Sequence, residues 1–165
     1  MRFDWIKGTG TVAALVLFCS ALILKAQAPM GAPSENSALS IPQSQQIQPA
    51  ELNQLLQGAG ADNPLVLQVG SRVLFAQAHI AGSEYVGPGS QPEGLKNLEK
   101  RVASLKRETP IVLYCGCCPW NRCPNVAAAN RLLQHMGFTR AKVLYIADNF
   151  GADWASKGYA VASGN

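Results

Sequence analysis

The chain has little charge and almost no histidine. Asp, Glu, Lys and Arg make up 15% of its 165 residues, and the formal net charge is only +4. Half of that excess lies in the first 28 residues, where Arg2, Lys7 and Lys25 outweigh Asp4. No tract of five or more basic residues occurs, so the phosphate-neutralising face that a nucleic-acid partner requires is not expected. His79 and His135 are the only histidines, which leaves imidazole-rich metal centres without ligands. A Gly-rich phosphate loop, a Ser-x-x-Lys motif and a metalloprotease motif are all absent from the sequence. What the chain does have is apolar material. At 48% hydrophobic it can fill one core, and it is too short to expect two.

Part of that hydrophobicity belongs to the amino terminus. Arg2 and Lys7 precede an uncharged run from Thr11 to Leu24, and Lys25-Ala26-Gln27-Ala28 ends in a small-x-small site. These are the three parts of a secretory signal, expected over residues 1–28 with cleavage after Ala28, or retained as a membrane anchor. Cys19 does not make a lipoprotein site, because the bulky Phe18 precedes it. Residues 29–48 are rich in Pro, Ser, Gln, Gly and Ala, with Glu35 their only charge, and read as a flexible linker. The location expected is exported, periplasmic or otherwise extracytoplasmic, tethered to the inner membrane if the anchor stays. The membrane would then be a partner only through that segment.

Folded structure is expected over residues 49–165. Pro49 and Glu51 suit a first helical turn, with Leu52, Leu55 and Leu56 on one face. Short apolar runs at 64–69, 111–114 and 141–146 have the length of strands buried on both faces. Between them Leu95, Leu98, Val102 and Leu105 form one helical stripe, and Val126, Ala129, Leu132, Leu133 and Met136 another, ended by Gly137. Strands alternating with helices predict an α/β domain with a mostly parallel central sheet flanked by helices in three layers. In such sheets the site lies beyond the carboxyl ends of the strands.

Four cysteines stand at that position. Cys115, Cys117, Cys118 and Cys123 occupy the loop from the 111–114 strand to the helix starting near Asn125. Loop N–H groups and a helix amino terminus favour a thiolate over a thiol, so reactive sulfur is expected there.

The ordered motifs around the loop resemble the rhodanese-like sulfurtransferases. Leu65 to Gly70 stands where the family has a strand ending in Asp-Val-Arg, and Ala78-His79-Ile80-Ala81-Gly82-Ser83 where it has Gly-His-Ile-Pro-Gly-Ala. Ile111 to Cys115 is similar to the strand delivering the catalytic cysteine, and Gly137-Phe138 follows the helix behind it. Gly151 through Trp154 to Gly158-Tyr159-Ala160-Val161 is similar to the closing Gly-x-x-x-Trp-x-x-x-Gly-Tyr-Pro-Val pattern. The resemblance covers residues 51–161. It implies a rhodanese-like domain whose cysteine takes sulfane sulfur from a small donor such as thiosulfate, holds it as a persulfide, and passes it to a thiol acceptor.

The expected nucleophile is Cys115, which directly follows the strand. Cys117 is the alternative, because four residues and then Arg122 follow it in the family's spacing. Gly116, Cys117, Cys118, Trp120 and Arg122 are expected to bind the donor, with the Arg122 fork clamping an anion. Cys117, Cys118 and Cys123 are candidate resolving or disulfide thiols. No cofactor is expected on the sulfurtransferase reading. Two other readings remain open: a thiol-disulfide or soft-metal module binding Cu or Zn through all four cysteines, and an inactive rhodanese fold with a structural disulfide loop. His79 and His135 are expected to be structural and superficial respectively, and Asp148-Asn149 to form a turn. The oligomeric state is left open. Gln68 and Gly70 replace the family's Asp and Arg, Ala78 and Ala81 its Gly and Pro, and the loop is longer than usual.

Overall fold

The structure, a computed structural model, describes residues 41–58, 60 and 63–164. The expected signal segment and most of the expected linker lie outside them. Among the described residues no helix is long and apolar enough to cross a membrane.

The described residues form seven strands and five α-helices, in the order β1 (Gln46–Ile47), α1 (Pro49–Gln57), β2 (Leu65–Gln68), α2 (Arg72–Gln77), β3 (His79–Ile80), β4 (Glu84–Tyr85), α3 (Pro92–Val102), β5 (Ile111–Tyr114), α4 (Pro124–His135), β6 (Ala141–Leu144), α5 (Phe150–Asp153) and β7 (Val161–Ala162). A five-stranded sheet has the order β1-β6-β5-β2-β4, every pairing in it parallel. β3 and β7 form a separate antiparallel pair. The α/β class with a parallel central sheet is therefore as expected. The three longest helices open the same way, with Pro at the first turn of α1, α3 and α4, where its missing N–H leaves no helical bond unmade.

The pleat sorts the core into two faces. On β5, Ile111, Leu113 and then Cys115 join the cluster formed with Leu98, Val102, Val126, Ala129 and Leu133 of α3 and α4. Val112 and Tyr114 point the other way, into the cluster with Leu52 and Trp154. Alternation along one strand thus commits the first loop cysteine to the α4 side. Each fully buried Leu or Val in these clusters is worth about 1.5–3 kcal/mol of transfer free energy.

One boundary needs correction. The domain does not begin at residue 49: Ile41 and Ile47 are buried in its two clusters, a 3-10 turn spans Gln43–Gln45, and β1 pairs with β6. Two residues are too few to show a strand's alternation, and the pairing rests on backbone groups that composition does not reveal.

Candidate active site: a four-sulfur loop

Residues 115–123 are shaped by local chemistry. Gly116 takes a positive φ of 71°, and a Cβ there would lie 2.9 Å from the Phe150 Cβ, so the turn requires glycine twice over. Its carbonyl accepts from the Phe150 N–H at 3.1 Å, and the Trp120 N–H donates to the Ala147 carbonyl at 3.2 Å. The Trp120 ring packs on Tyr145 with centroids 5.0 Å apart. A 3-10 turn over Trp120–Arg122 delivers Cys123 to the N-cap of α4, with Pro124 behind it.

This folding draws the four sulfurs to within 4.8 Å of one another. Cys115 Sγ and Cys117 Sγ are 2.7 Å apart, and Cys117 Sγ and Cys118 Sγ 3.4 Å. All four are free cysteines; Cys115 and Cys123 are buried, Cys117 and Cys118 half-buried. Asn125, in the first turn of α4, donates its Nδ2 to Cys115 Sγ at 3.3 Å and to Cys117 Sγ at 3.9 Å. Its Oδ1 accepts from both the N–H and the hydroxyl of Ser90, which fixes the amide with its donor toward sulfur.

The thiols of the cluster shift one another's pKa in opposite directions. The thiols of Cys115 and Cys123 donate to Cys117 and hold its pKa far below the ordinary thiol range, with Cys118 adding a further donor. Cys115 is correspondingly driven up, first by its bond to Cys117, then by Cys123 and burial. Burial, followed by the bond to Cys117, pushes Cys118 up to about 12. The thiolate is thus favoured at Cys117 over Cys115 and Cys118.

The two departures from the family's strand motif meet at this cluster. A Cβ on Gly70 would fall 2.8 Å from Cys115 Sγ and 3.0 Å from the Cys115 carbonyl. Only a residue without a side chain leaves room for the sulfur. Gln68 sends its Nε2 to the Cys115 carbonyl at 3.2 Å and accepts from the Gly70 N–H at 3.1 Å, so a neutral amide braces the loop where a carboxylate would repel a thiolate.

A cavity of about 340 Å³ opens beside the cluster, lined by Gln68, Tyr114, Cys115, Cys117, Phe150 and Gly151 among others. Of the loop residues, Cys115, Gly116 and Cys117 line it, whereas Cys118, Trp120 and Cys123 line a smaller recess that Cys115 and Gly116 share with Val126 and Ile146. Arg122 is exposed and lines neither space. Sequence reasoning missed Asn125, Ser90 and the roles of Gln68 and Gly70. The pattern Cys-Pro-Asn at the helix start was the available signal, since an amide there must find a partner.

The other singled-out residues are structural. His79 stacks on Phe75 at 3.9 Å and donates Nδ1–H to its carbonyl. Tyr114 turns its hydroxyl from the sulfurs toward Ser83 and the Ile80 N–H, and burial pushes its pKa up to about 12. Asn149 caps α5 through the Ala152 N–H. Trp154, fully buried, donates to the Ala160 carbonyl at 3.0 Å and meets Tyr159 edge-on.

Cys115 thus follows the central strand of a parallel α/β sheet, with the amino terminus of α4 behind it. The family model of the rhodanese-like domain matches residues 48–150, and the chain belongs to that family. Its fold is similar to that of a rhodanese-like domain from Anabaena, at TM-score 0.52 and 22% identity over 72% of this chain and 79% of that one. A protein from Bacillus halodurans matches at TM-score 0.55 and 21% identity, over 73% and 77% of the two chains. A single-domain sulfurtransferase from Saccharomyces cerevisiae matches at TM-score 0.51 and 12% identity, over 69% and 90%. No curated protein matches the chain.

Proposed function

We propose that the domain is a sulfurtransferase that carries sulfane sulfur as a persulfide in the loop, with Cys117 attacking and Cys115 beside it. The observation that carries the reading is the position of these two sulfurs: both line the 340 Å³ cavity at the carboxyl end of β5 in a rhodanese-like domain. Chain position alone favoured Cys115. Its burial and its retained proton move the attack to the less buried Cys117, the alternative that the Arg122 spacing had offered.

With thiosulfate as donor, the Cys117 thiolate attacks the outer sulfur. The sulfur–sulfur bond of thiosulfate breaks, sulfite leaves with the electron pair, and Cys117 keeps the transferred sulfur as a persulfide anion. An acceptor thiolate then attacks the terminal sulfur and regenerates the Cys117 thiolate. The Asn125 amide and the Cys115 thiol, which face the Cys117 sulfur, are in place to bind the persulfide's charge. The 2.7 Å contact favours a second exit. Cys115 passes its proton to the terminal sulfur of the persulfide and attacks Cys117 Sγ, hydrosulfide leaves with the electron pair of the broken sulfur–sulfur bond, and a Cys115–Cys117 disulfide remains for an external dithiol to reduce.

Export is part of the proposal, supported by the charge-flanked apolar segment and small-x-small site at the amino terminus. The sulfur chemistry is tested by mass spectrometry of the reduced domain after exposure to thiosulfate. An adduct of one sulfur on the loop peptide is expected, and it disappears in Cys117→Ser. In Cys115→Ser the adduct forms but releases no sulfide without an added thiol. No adduct on the native chain, or an undiminished adduct in Cys117→Ser, overturns the assignment.

A further inference from the structure

We propose that Cys115, Cys117, Cys118 and Cys123 together form a binding site for a thiophilic d10 cation, Zn(II) or Cu(I). This goes beyond sulfur transfer and does not rest on it, because the site is defined by the sulfur array alone.

Four cysteine ligands on Zn at about 2.3 Å place neighbouring sulfurs about 3.8 Å apart. The sulfur pairs here run from 2.7 Å to no more than 4.8 Å and so bracket that edge. Side-chain rotation of roughly 1 Å at each sulfur is enough to reach tetrahedral or trigonal coordination. The backbone is already set for it. Cys115 is fixed by β5, Cys123 by the start of α4, and Gly116 and the 3-10 turn bring Cys117 and Cys118 between them.

The surroundings fit an anionic metal–thiolate group better than a single thiol. Asn125 donates to two of the sulfurs and is itself locked by Ser90, which is how outer residues orient metal ligands. Gln68 is neutral where an acid would add to the negative charge of four thiolates. Gly70 clears the space that a side chain would take from Cys115 Sγ. Among the described residues this is the single assembly of three or more His, Cys, Asp or Glu ligand groups close enough to share an ion. Two sulfurs are buried and two half-buried, so an ion has an open side by which to enter and leave. An occupied site holds no free thiolate, so metal and sulfur donor exclude each other.

The test uses the reduced full-length protein without oxygen. Zn(II) is titrated against the chromophoric chelator pyridylazoresorcinol and, in a separate arm, Cu(I) against bicinchoninate. One equivalent withdrawn from either chelator supports the site and identifies the ion; none from both overturns it. Thiol protection needs no variant. Bound metal is expected to slow iodoacetamide alkylation at all four cysteines, and protection confined to Cys117 and Cys118 overturns the four-sulfur site. Replacing Cys118 and Cys123 together by Ser is expected to abolish competition with the chelator, whereas Asn125→Ala weakens binding about 10- to 100-fold. None of these readouts involves sulfur transfer. Metal binding without a thiosulfate adduct defeats the transferase reading alone, and the adduct without metal binding defeats the metal site alone.

Discussion

At the carboxyl end of the parallel sheet four sulfurs, an oriented amide and the start of α4 converge on a cavity of about 340 Å³. At the amino end a larger cavity, about 630 Å³, is lined by Ser44, Gln45, Leu55, Pro110, Arg140 and Lys142 among others. The larger space is lined by no thiol, histidine or carboxylate, and its reactive groups are the hydroxyls of Ser44 and Thr139 and the Lys142 amine. Volume points to the amino end. Strand direction points to the carboxyl end, because parallel strands deliver their last residues, and the loops that follow, to the same edge. On the proposed function the small cavity is the reactive one, because Cys115 directly follows β5 and α4 begins beside it.

The sharpest way to break this contrast is to fill the space that the carboxyl end keeps clear. Gly70→Val places a branched side chain where even a Cβ lies 2.8 Å from Cys115 Sγ. Overpacking of this kind costs about 1–3 kcal/mol of stability, and displacing a reacting sulfur by about 1 Å costs about a hundredfold in rate. Thermal melts should show a folded, less stable domain, and thiosulfate adduct kinetics should show the larger loss. A variant that melts lower yet forms the adduct at the native rate would show that the cluster does not depend on this clearance.

How much of that clearance was legible in the sequence differs by element. β2, β5 and β6 announce themselves as continuous apolar runs, α3 and α4 by their apolar stripes, and α1 by its stripe and its first-turn proline. β1, β3, β4 and β7 are two residues each, and no alternation can be read from two residues. Gly70 is legible as a departure from the family and not as a gain, because its value depends on Cys115 Sγ arriving from another strand. Asn125 hides in the same way. Its amide reaches sulfur only through its register on α4 and the Ser90 loop that holds it. The sequence places the four cysteines in one loop, but the proposed division of labour among them rests on depth: the same loop that buries Cys115 leaves Cys117 half-open.

That division predicts a pH signature at the reactive end. The Cys117 pKa is lowered by donation from Cys115 and Cys123, so its thiolate persists above the depressed value and is lost only as pH falls through it. An ordinary cysteine, with a pKa near 8.5, gains thiolate about tenfold per unit across the neutral range. In the reduced, metal-free domain, alkylation at Cys117 should instead stay flat between about pH 6 and 8, and Cys118, pushed up to about 12, should lag throughout. Peptide-resolved iodoacetamide rates measure both. A Cys117 rate that climbs tenfold per unit through neutrality would return the thiolate, and with it the attack, to another sulfur.

The smallest effect belongs at the opposite end. Lys142 lines the larger cavity and its Nζ stands 3.5 Å from Glu51 Oε1, with both side chains about half exposed. Water and salt screen such a pair, so its net worth is about 0–1 kcal/mol. Lys142→Ala should therefore shift stability by no more than about 0.5 kcal/mol, as surface substitutions commonly do. Thiosulfate adduct formation should proceed at the native rate, since none of the residues lining that cavity belongs to the sulfur loop. Denaturant unfolding and adduct kinetics on one preparation test both. A slowed adduct in a stable Lys142→Ala domain would mean that the amino-end cavity recruits the anionic donor, and the functional asymmetry of the sheet would have to give way to a site that uses both of its ends.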